Sequence, residues 1–409
     1  GKLNGPRYVS AGESDEQGTR YLQGAAVIME VGSGDVIAMV GGRDFLDSPF
    51  NRATQSQRQV GSAFKPFVFA TAIGGGFSPS QHLVDEPISF NMTRQKAYEP
   101  RNYDGLFYGE ISLRQTLVES RNVPTVRLAD AVGLENVRQT AVRAGITGDM
   151  PLHPSMPLGT VASNPLELAH AYTVFPGLGV QPEPRYITSV VNEDGDTIWS
   201  IDAVRSGGGL DPRVAYVITD MLRDAVDYGT GAAVRSAGYY GATAGKTGTT
   251  NEGTDAWFVG FTPDLVGAVW VGFDQQRSIT GNASGGRLAA PIWGRIMRRV
   301  YANRPDPGDF EVPAGIVHRM TDPESGLVLQ DGCFPRWEDP VREVFLEGQQ
   351  AETICPHYGN ALDDWISGIL RRLQGGREDE VESSDEVNRR ADEMRRAQDR
   401  LRKGNQPRN

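Results

Sequence analysis

Apolar and polar positions divide the chain into a β-rich opening, a helical middle and a second β-rich stretch. Ala26-Val27-Ile28-Met29-Glu30-Val31 and Val36-Ile37-Ala38-Met39-Val40 flank Gly32-Ser33-Gly34-Asp35, a pattern that predicts a hairpin. Residues 62–73 form a compact apolar stretch, read as a buried helix that stops at Gly74-Gly75-Gly76. Residues 110–145 and 165–175 carry helical patterning, with Pro, Gly and Asn between them. Asp211 as N-cap and Pro212 at the first helical position open a helix that reaches Tyr228 and stops at Gly229. Two more β-rich runs, 256–261 and 265–273, are joined by Thr262-Pro263-Asp264, and a further helix is expected over 291–302. Strands thus sit at both ends of a helix-rich middle, without regular βαβ alternation. The expected class is α+β: a central antiparallel sheet, made from the hairpin and the later strands, flanked by helices.

Composition sets the divisions. A length of 409 residues fits two or three domains, or one large domain with appendages. Hydrophobic content of 39% excludes a wholly disordered chain. With 41 Lys and Arg against 52 Asp and Glu, the net charge of −11 argues against a nucleic-acid partner held by phosphate contacts. The longest near-unbroken apolar run, 265–273, falls far short of the ~20 residues of a spanning helix. No signal pattern opens the chain, and Gly1 without a Met reads as a processed or excised start. Residues 1–21 read as a linker or entry arm, 22–302 as the main domain and 303–360 as a small loop- and strand-rich C-terminal lobe. Residues 361–409 form a charged tail. Within 377–403, 17 of 27 residues are charged, which reads as a flexible solvated segment, although Val387, Ala391, Met394 and Leu401 fall near one helical stripe. Cys333 and Cys355, 22 apart, admit either a disulfide, which implies an oxidising compartment, or two unrelated buried thiols.

Three short segments carry the chemistry. In Ser62-Ala63-Phe64-Lys65, helical spacing puts hydroxyl and amine on one face. A serine near neutral pH needs a base, and lysine serves only without its proton, a state that burial and a neighbouring cation favour. Ser120-Arg121-Asn122 places a hydroxyl and a carboxamide two apart in a non-helical corner, suited to relay a proton and orient a lysine or a substrate amide. Lys246-Thr247-Gly248-Thr249-Thr250, as an edge strand, offers backbone groups to an extended peptide, hydroxyls, and a cation for a carboxylate. Gly248 is expected to remove a side chain where substrate approaches closely. Gly245-Lys246-Thr247 also matches the end of a phosphate-binding loop, but position 240, where that loop needs glycine, is Tyr240. His82, His153, His170, His318 and His357 are scattered without an H-x-x-x-H pair, so no metal and no cofactor are expected. Trp257, Trp270 and Trp293 read as core residues.

The order Ser-x-x-Lys, Ser-x-Asn, Lys-Thr-Gly resembles that of the penicilloyl serine transferases, the penicillin-binding proteins and serine β-lactamases. More narrowly, residues 22–360 resemble the transpeptidase domain of a class A (bifunctional) penicillin-binding protein. Arg58-Gln59-Val60-Gly61 before Ser62, Val123-Pro124-Thr125-Val126 after Asn122, Gly229-Thr230-Gly231-Ala232, and Asp255-Ala256-Trp257-Phe258-Val259-Gly260 support it. Arg121, where the β-lactamase version has Asp, favours the penicillin-binding branch.

The resemblance implies a D,D-transpeptidase. Ser62 would be the nucleophile, Lys65 its base, Ser120 a proton relay, Asn122 an orienting group, and Lys246 a source of positive potential. Thr247, Gly248, Thr249 and Thr250 would bind substrate, with the Ser62 and Thr249 backbone N–H groups as oxyanion hole. Donor and acceptor peptidoglycan stem peptides would be the partners and β-lactams the covalent inhibitors. A glycosyltransferase domain and a membrane anchor, both absent from this chain, would place the parent on the extracytoplasmic face of the bacterial inner membrane. Within the same resemblance, transfer to water would make a D,D-carboxypeptidase or β-lactamase, and no turnover a penicillin-sensing module.

Overall fold

The computed structural model describes residues 14–15, 18–91, 97–207, 209–333 and 339–355. The charged tail, with its stripe at Val387, Ala391, Met394 and Leu401, and most of the entry arm lie outside the described residues.

The centre is a five-stranded antiparallel sheet. Its strands are β1 (Gln23–Glu30), β2 (Val36–Val40), β3 (Ala244–Thr249), β4 (Asp255–Phe261) and β5 (Leu265–Gly272). They lie in the order β3-β4-β5-β1-β2, so the N-terminal hairpin joins the later strands and β3 is an edge. Every residue of β4 and β5 is buried, because both faces of the sheet are covered. Side chains alternate between the faces. Val27, Met29, Trp257, Val259 and Trp270 enter the larger core, whereas Ile28, Phe258 and Val269 pack with Trp293 and Met297. A strand covered on both sides reads as a continuous apolar run, which is how β5 reads in the sequence.

The flanking helices are α1 (Lys65–Gly74), α2 (Leu113–Val118), α3 (Val123–Val132), α4 (Leu134–Arg143), α5 (Pro165–Tyr172), α6 (Pro212–Asp227) and α7 (Ala290–Val300). Asp211 caps α6, its side chain accepting from the Arg213 N–H. The helical reading of 110–145 needs refinement. Gly109–Ser112 is a strand paired with His82–Asp85, and the rest breaks into three helices. Ser112 caps α2 by accepting from the Gln115 N–H, Gly133 separates α3 from α4 at φ 87°, and residues 120–122 turn the chain between α2 and α3. These breaks build the site.

Contacts divide the chain into two compact units, one of residues up to 318 with 344–350, the other of 319–343 with 351 onward. Within the second unit, β6 (Val328–Leu329) pairs in parallel with β7 (Thr353–Ile354). Cys333 and Cys355 are bonded to each other within the second unit.

Candidate active site

Ser62 lies on a 3-10 turn, Gly61–Phe64, that runs directly into α1. The turn is fastened from several directions. Gly61 donates to the Gly159 carbonyl, Trp257 Nε1 to the Gln59 carbonyl at 3.0 Å, and the Tyr172 hydroxyl to the Ala63 carbonyl. Gly61 has φ 55°, and a Cβ there would stand 2.5 Å from the Thr249 carbonyl oxygen. Gly248 meets the same turn. A Cβ on it would lie 2.4 Å from the Val60 carbonyl oxygen and 2.9 Å from Trp257 Cβ. Here the structure corrects the sequence reading. Gly248 lets the serine-bearing turn seat on strand β3, and the space beside it is filled by protein, not left for substrate.

Lys65, the first residue of α1, is fully buried. Its Nζ donates to the Ser120 carbonyl at 2.6 Å, the Arg121 carbonyl at 3.0 Å and Asn122 Oδ1 at 2.7 Å, and lies 3.3 Å from Ser120 Oγ. Burial, the Lys246 charge and the Arg121 charge hold this amine well below the usual lysine range. The i, i+3 spacing alone brings Lys65 toward Ser62. In the structure the amine is turned to the 120–122 corner, and Ser62 Oγ makes no hydrogen bond among the described residues.

That corner is held by groups the motif does not contain. Ser120 sits at φ 60°, uncommon for a residue with a side chain. Next to it the Arg121 guanidinium pairs with Asp85 at 2.9 Å and Asp104 at 2.6 Å, and lies 4.1 Å from the Tyr108 ring centre. Asn102 Oδ1 accepts from the Asn122 and Val123 N–H groups, and Asn102 Nδ2 donates to Asp85. With the backbone so anchored, the Ser120 and Arg121 carbonyls face Lys65. The positioning residues Asp85 and Asn102 were not legible in the sequence, since they lie 35 and 18 residues before Ser120.

Strand β3 supplies the opposite wall. Lys246 is fully buried, and burial pushes its ammonium down to about 7. In the unfolded chain that amine keeps its proton to about pH 10.4. Between the two values the unfolded state binds more protons, so stability rises with pH across that window. Thermal midpoints measured from about pH 7 to about pH 10 should climb in the native chain and climb less in Lys246→Met. Parallel curves would reject Lys246 as the titrating group. Thr247 Oγ1 donates to Thr230 Oγ1 at 2.9 Å, and Thr249 Oγ1 accepts from the Gly285 N–H at 3.0 Å. Thr250 Oγ1 is engaged within its own turn, where it accepts from the Asp255 N–H and contacts the Thr254 hydroxyl.

The walls enclose a cleft of about 500 Å³. Ser62, Ser120, Asn122, Thr247, Thr249 and Thr250 line it, while Lys65, Lys246 and Gly248 lie beneath its surface. Thr230, Glu119, Arg287, Tyr98 and Tyr103 line it as well. None of these five carries a role in the three motifs.

Residues 24–298 match the family model for the penicillin-binding protein transpeptidase domain. The chain belongs to this family. It is 38% identical over 330 residues to penicillin-binding protein 1A of Neisseria lactamica, covering 76% of this chain and 41% of that protein. It is 35% identical over 338 residues to penicillin-binding protein 1A of Aquifex aeolicus, covering 82% and 45%. The chain thus spans about two-fifths of the length of the curated relatives it matches. The crystal structure of penicillin-binding protein 1A from Haemophilus influenzae superposes with a TM-score of 0.75 at 26% identity, over 83% of this chain and 56% of that one. The PonA1 protein from Mycobacterium tuberculosis in complex with penicillin V shares the fold at a TM-score of 0.62 and 24% identity, over 72% of this chain and 81% of that one. These neighbours bear out the α+β class and the class A transpeptidase-domain resemblance drawn from the three motifs. Gly229-Thr230-Gly231 supports the family resemblance without a chemical role of its own in the sequence. Its bond to Thr247 now puts Thr230 in the cleft.

Proposed function

We propose that this chain is a peptidoglycan D,D-transpeptidase working through an acyl-enzyme on Ser62. The observation that carries the reading is the buried, depressed Lys65 amine held by Ser120 and Asn122 beneath the cleft that Ser62 lines. A neutral amine donates only two N–H groups, so a proton taken from Ser62 restores the third donation among the Ser120 carbonyl, the Arg121 carbonyl and Asn122 Oδ1. Attack requires amine and hydroxyl within hydrogen-bond reach of each other.

Ser62 Oγ attacks the carbonyl carbon between two D-alanines while Lys65 takes its proton. The backbone N–H groups of Ser62 and Thr249 face the developing oxyanion, each such donor being worth ~3 kcal/mol. The C–N bond breaks, and Ser120 gives its proton to the leaving D-Ala nitrogen while taking from Lys65 the proton that came from Ser62. Thr247 and Thr249 hold the terminal carboxylate, with Lys246 adding positive potential. Thr250 lines this end. An amine of a second stem peptide then attacks the ester carbon, the C–Oγ bond breaks, and a 4→3 cross-link forms. β-Lactams enter the first half of this sequence as mimics of D-Ala-D-Ala. Such substrates lie outside the cytoplasm, which agrees with the Cys333–Cys355 bond. The remaining length of the relatives leaves room in a parent for a glycosyltransferase domain and a membrane tether.

Intact-mass measurement after incubation with benzylpenicillin tests the reading. The expected product is a chain heavier by one drug, stable over a chase of many minutes. A chain that gains nothing contradicts the function. An adduct cleared within seconds would instead identify a β-lactamase, with water as the acceptor.

A further inference from the structure

Two charged side chains line the cleft, Glu119 and Arg287. Neither is paired with an opposite charge among the described residues. They belong to different walls. Arg287 follows Gly285, whose N–H binds Thr249 Oγ1, so it stands on the side assigned to the terminal carboxylate of the donor. Glu119 ends α2 and immediately precedes Ser120. Its N–H is bonded to the Gln115 carbonyl, and its Oε1 accepts from Gln115 Nε2 at 2.9 Å. The carboxylate is thereby oriented while its second oxygen has no hydrogen bond among the described residues.

An alkyl amine arrives in neutral water as an ammonium, with a pKa near ~10.4. Of the two charged side chains on the walls, Arg287 repels such a cation and Glu119 attracts it. A carboxylate on the wall offsets that repulsion. We propose that Glu119 is the subsite that binds the ammonium of the acceptor strand and so favours cationic amines over neutral nucleophiles. The proposal rests on the transpeptidase reading. Glu119 takes no part in bond exchange. The bound ammonium sheds one proton to solvent, the nitrogen attacks the Ser62 ester carbon, and the C–N bond forms. The C–Oγ bond then breaks, and the second nitrogen proton returns to Ser62 Oγ.

The test is partition of one acyl donor between two acceptors at neutral pH: an alkylamine, which is protonated, and hydroxylamine, which is not. In Glu119→Gln, whose carboxamide oxygen still accepts from Gln115, the ratio of transfer to the cationic over the neutral acceptor should fall about three- to tenfold. Glu119→Lys should lower it further, and added salt should shrink the gap between native and variant chains. A ratio that stays at the native value, or equal losses with both acceptors, overturns the assignment while leaving the transpeptidase reading intact. A native chain that transfers to neither acceptor removes that reading, and the subsite with it. Melting curves of both variants confirm that a changed ratio comes from a folded chain.

Discussion

Benzylpenicillin added to the Ser62→Ala chain is expected to leave its intact mass unchanged, while the native chain gains one drug. The reason is positional. Ser62 is held on a turn fixed by Gly61, Trp257 and Tyr172, and its hydroxyl lines the cleft free of any hydrogen bond among the described residues. Ser120 also lines the cleft, but its hydroxyl lies 3.3 Å from Lys65 Nζ at a strained backbone position. It does not sit on that turn, the position from which Ser62 is proposed to attack. Alanine preserves that turn, because Ser62 is neither an N-cap nor a hydrogen-bond donor to its neighbours. An adduct on the alanine variant would move the nucleophile elsewhere.

The second large effect falls on Lys65. Substitution by methionine, which fills a similar buried volume without charge, should lower the acylation rate by ~10²–10⁴, the usual contribution of a positioned general base. The pH dependence separates this role from a structural one. Lys65 is held well below the ordinary lysine range by burial and by the charges of Lys246 and Arg121. It is therefore a base at a pH where free lysine is still an acid. The native rate should fall as the pH drops through the lowered pKa and Lys65 takes up a proton. The methionine variant should lose that acidic limb along with the rate. A slow variant that retains the limb would assign the titration to another group.

The same pair of lysines explains why the site costs stability. Two amines buried near one another, with an arginine behind them, resist protonation together, and the folded chain bears that conflict. The Asp85–Arg121–Asp104 cluster offsets part of it by keeping the corner fixed and the guanidinium compensated. Removing Asp85, the buried partner, leaves the guanidinium in a poor dielectric, typically a loss of ~3–5 kcal/mol.

What the sequence determined by itself was local. Alternation and turn chemistry foretold the hairpin, the edge strand at Lys246, the capped helix from Pro212 and the two later β-rich runs, because each depends on neighbours a few residues apart. The three motifs and their order marked the chemistry and the family for the same reason: residue type and short spacing carry them. The tertiary structure decided the rest. The serine-bearing turn, the 120–122 corner and strand β3 meet across separations of 58 and 126 residues, and only packing selects such contacts. Hence the Lys65 amine is bonded to the 120–122 corner, as the orienting role given to Asn122 requires, and Gly248 proved a seat for the turn instead of an opening for substrate. Glu119, Thr230 and Arg287 showed themselves only as cleft walls. Spacing along a helix says which side chains share a face; it does not say which partner from a distant stretch of chain will occupy that face.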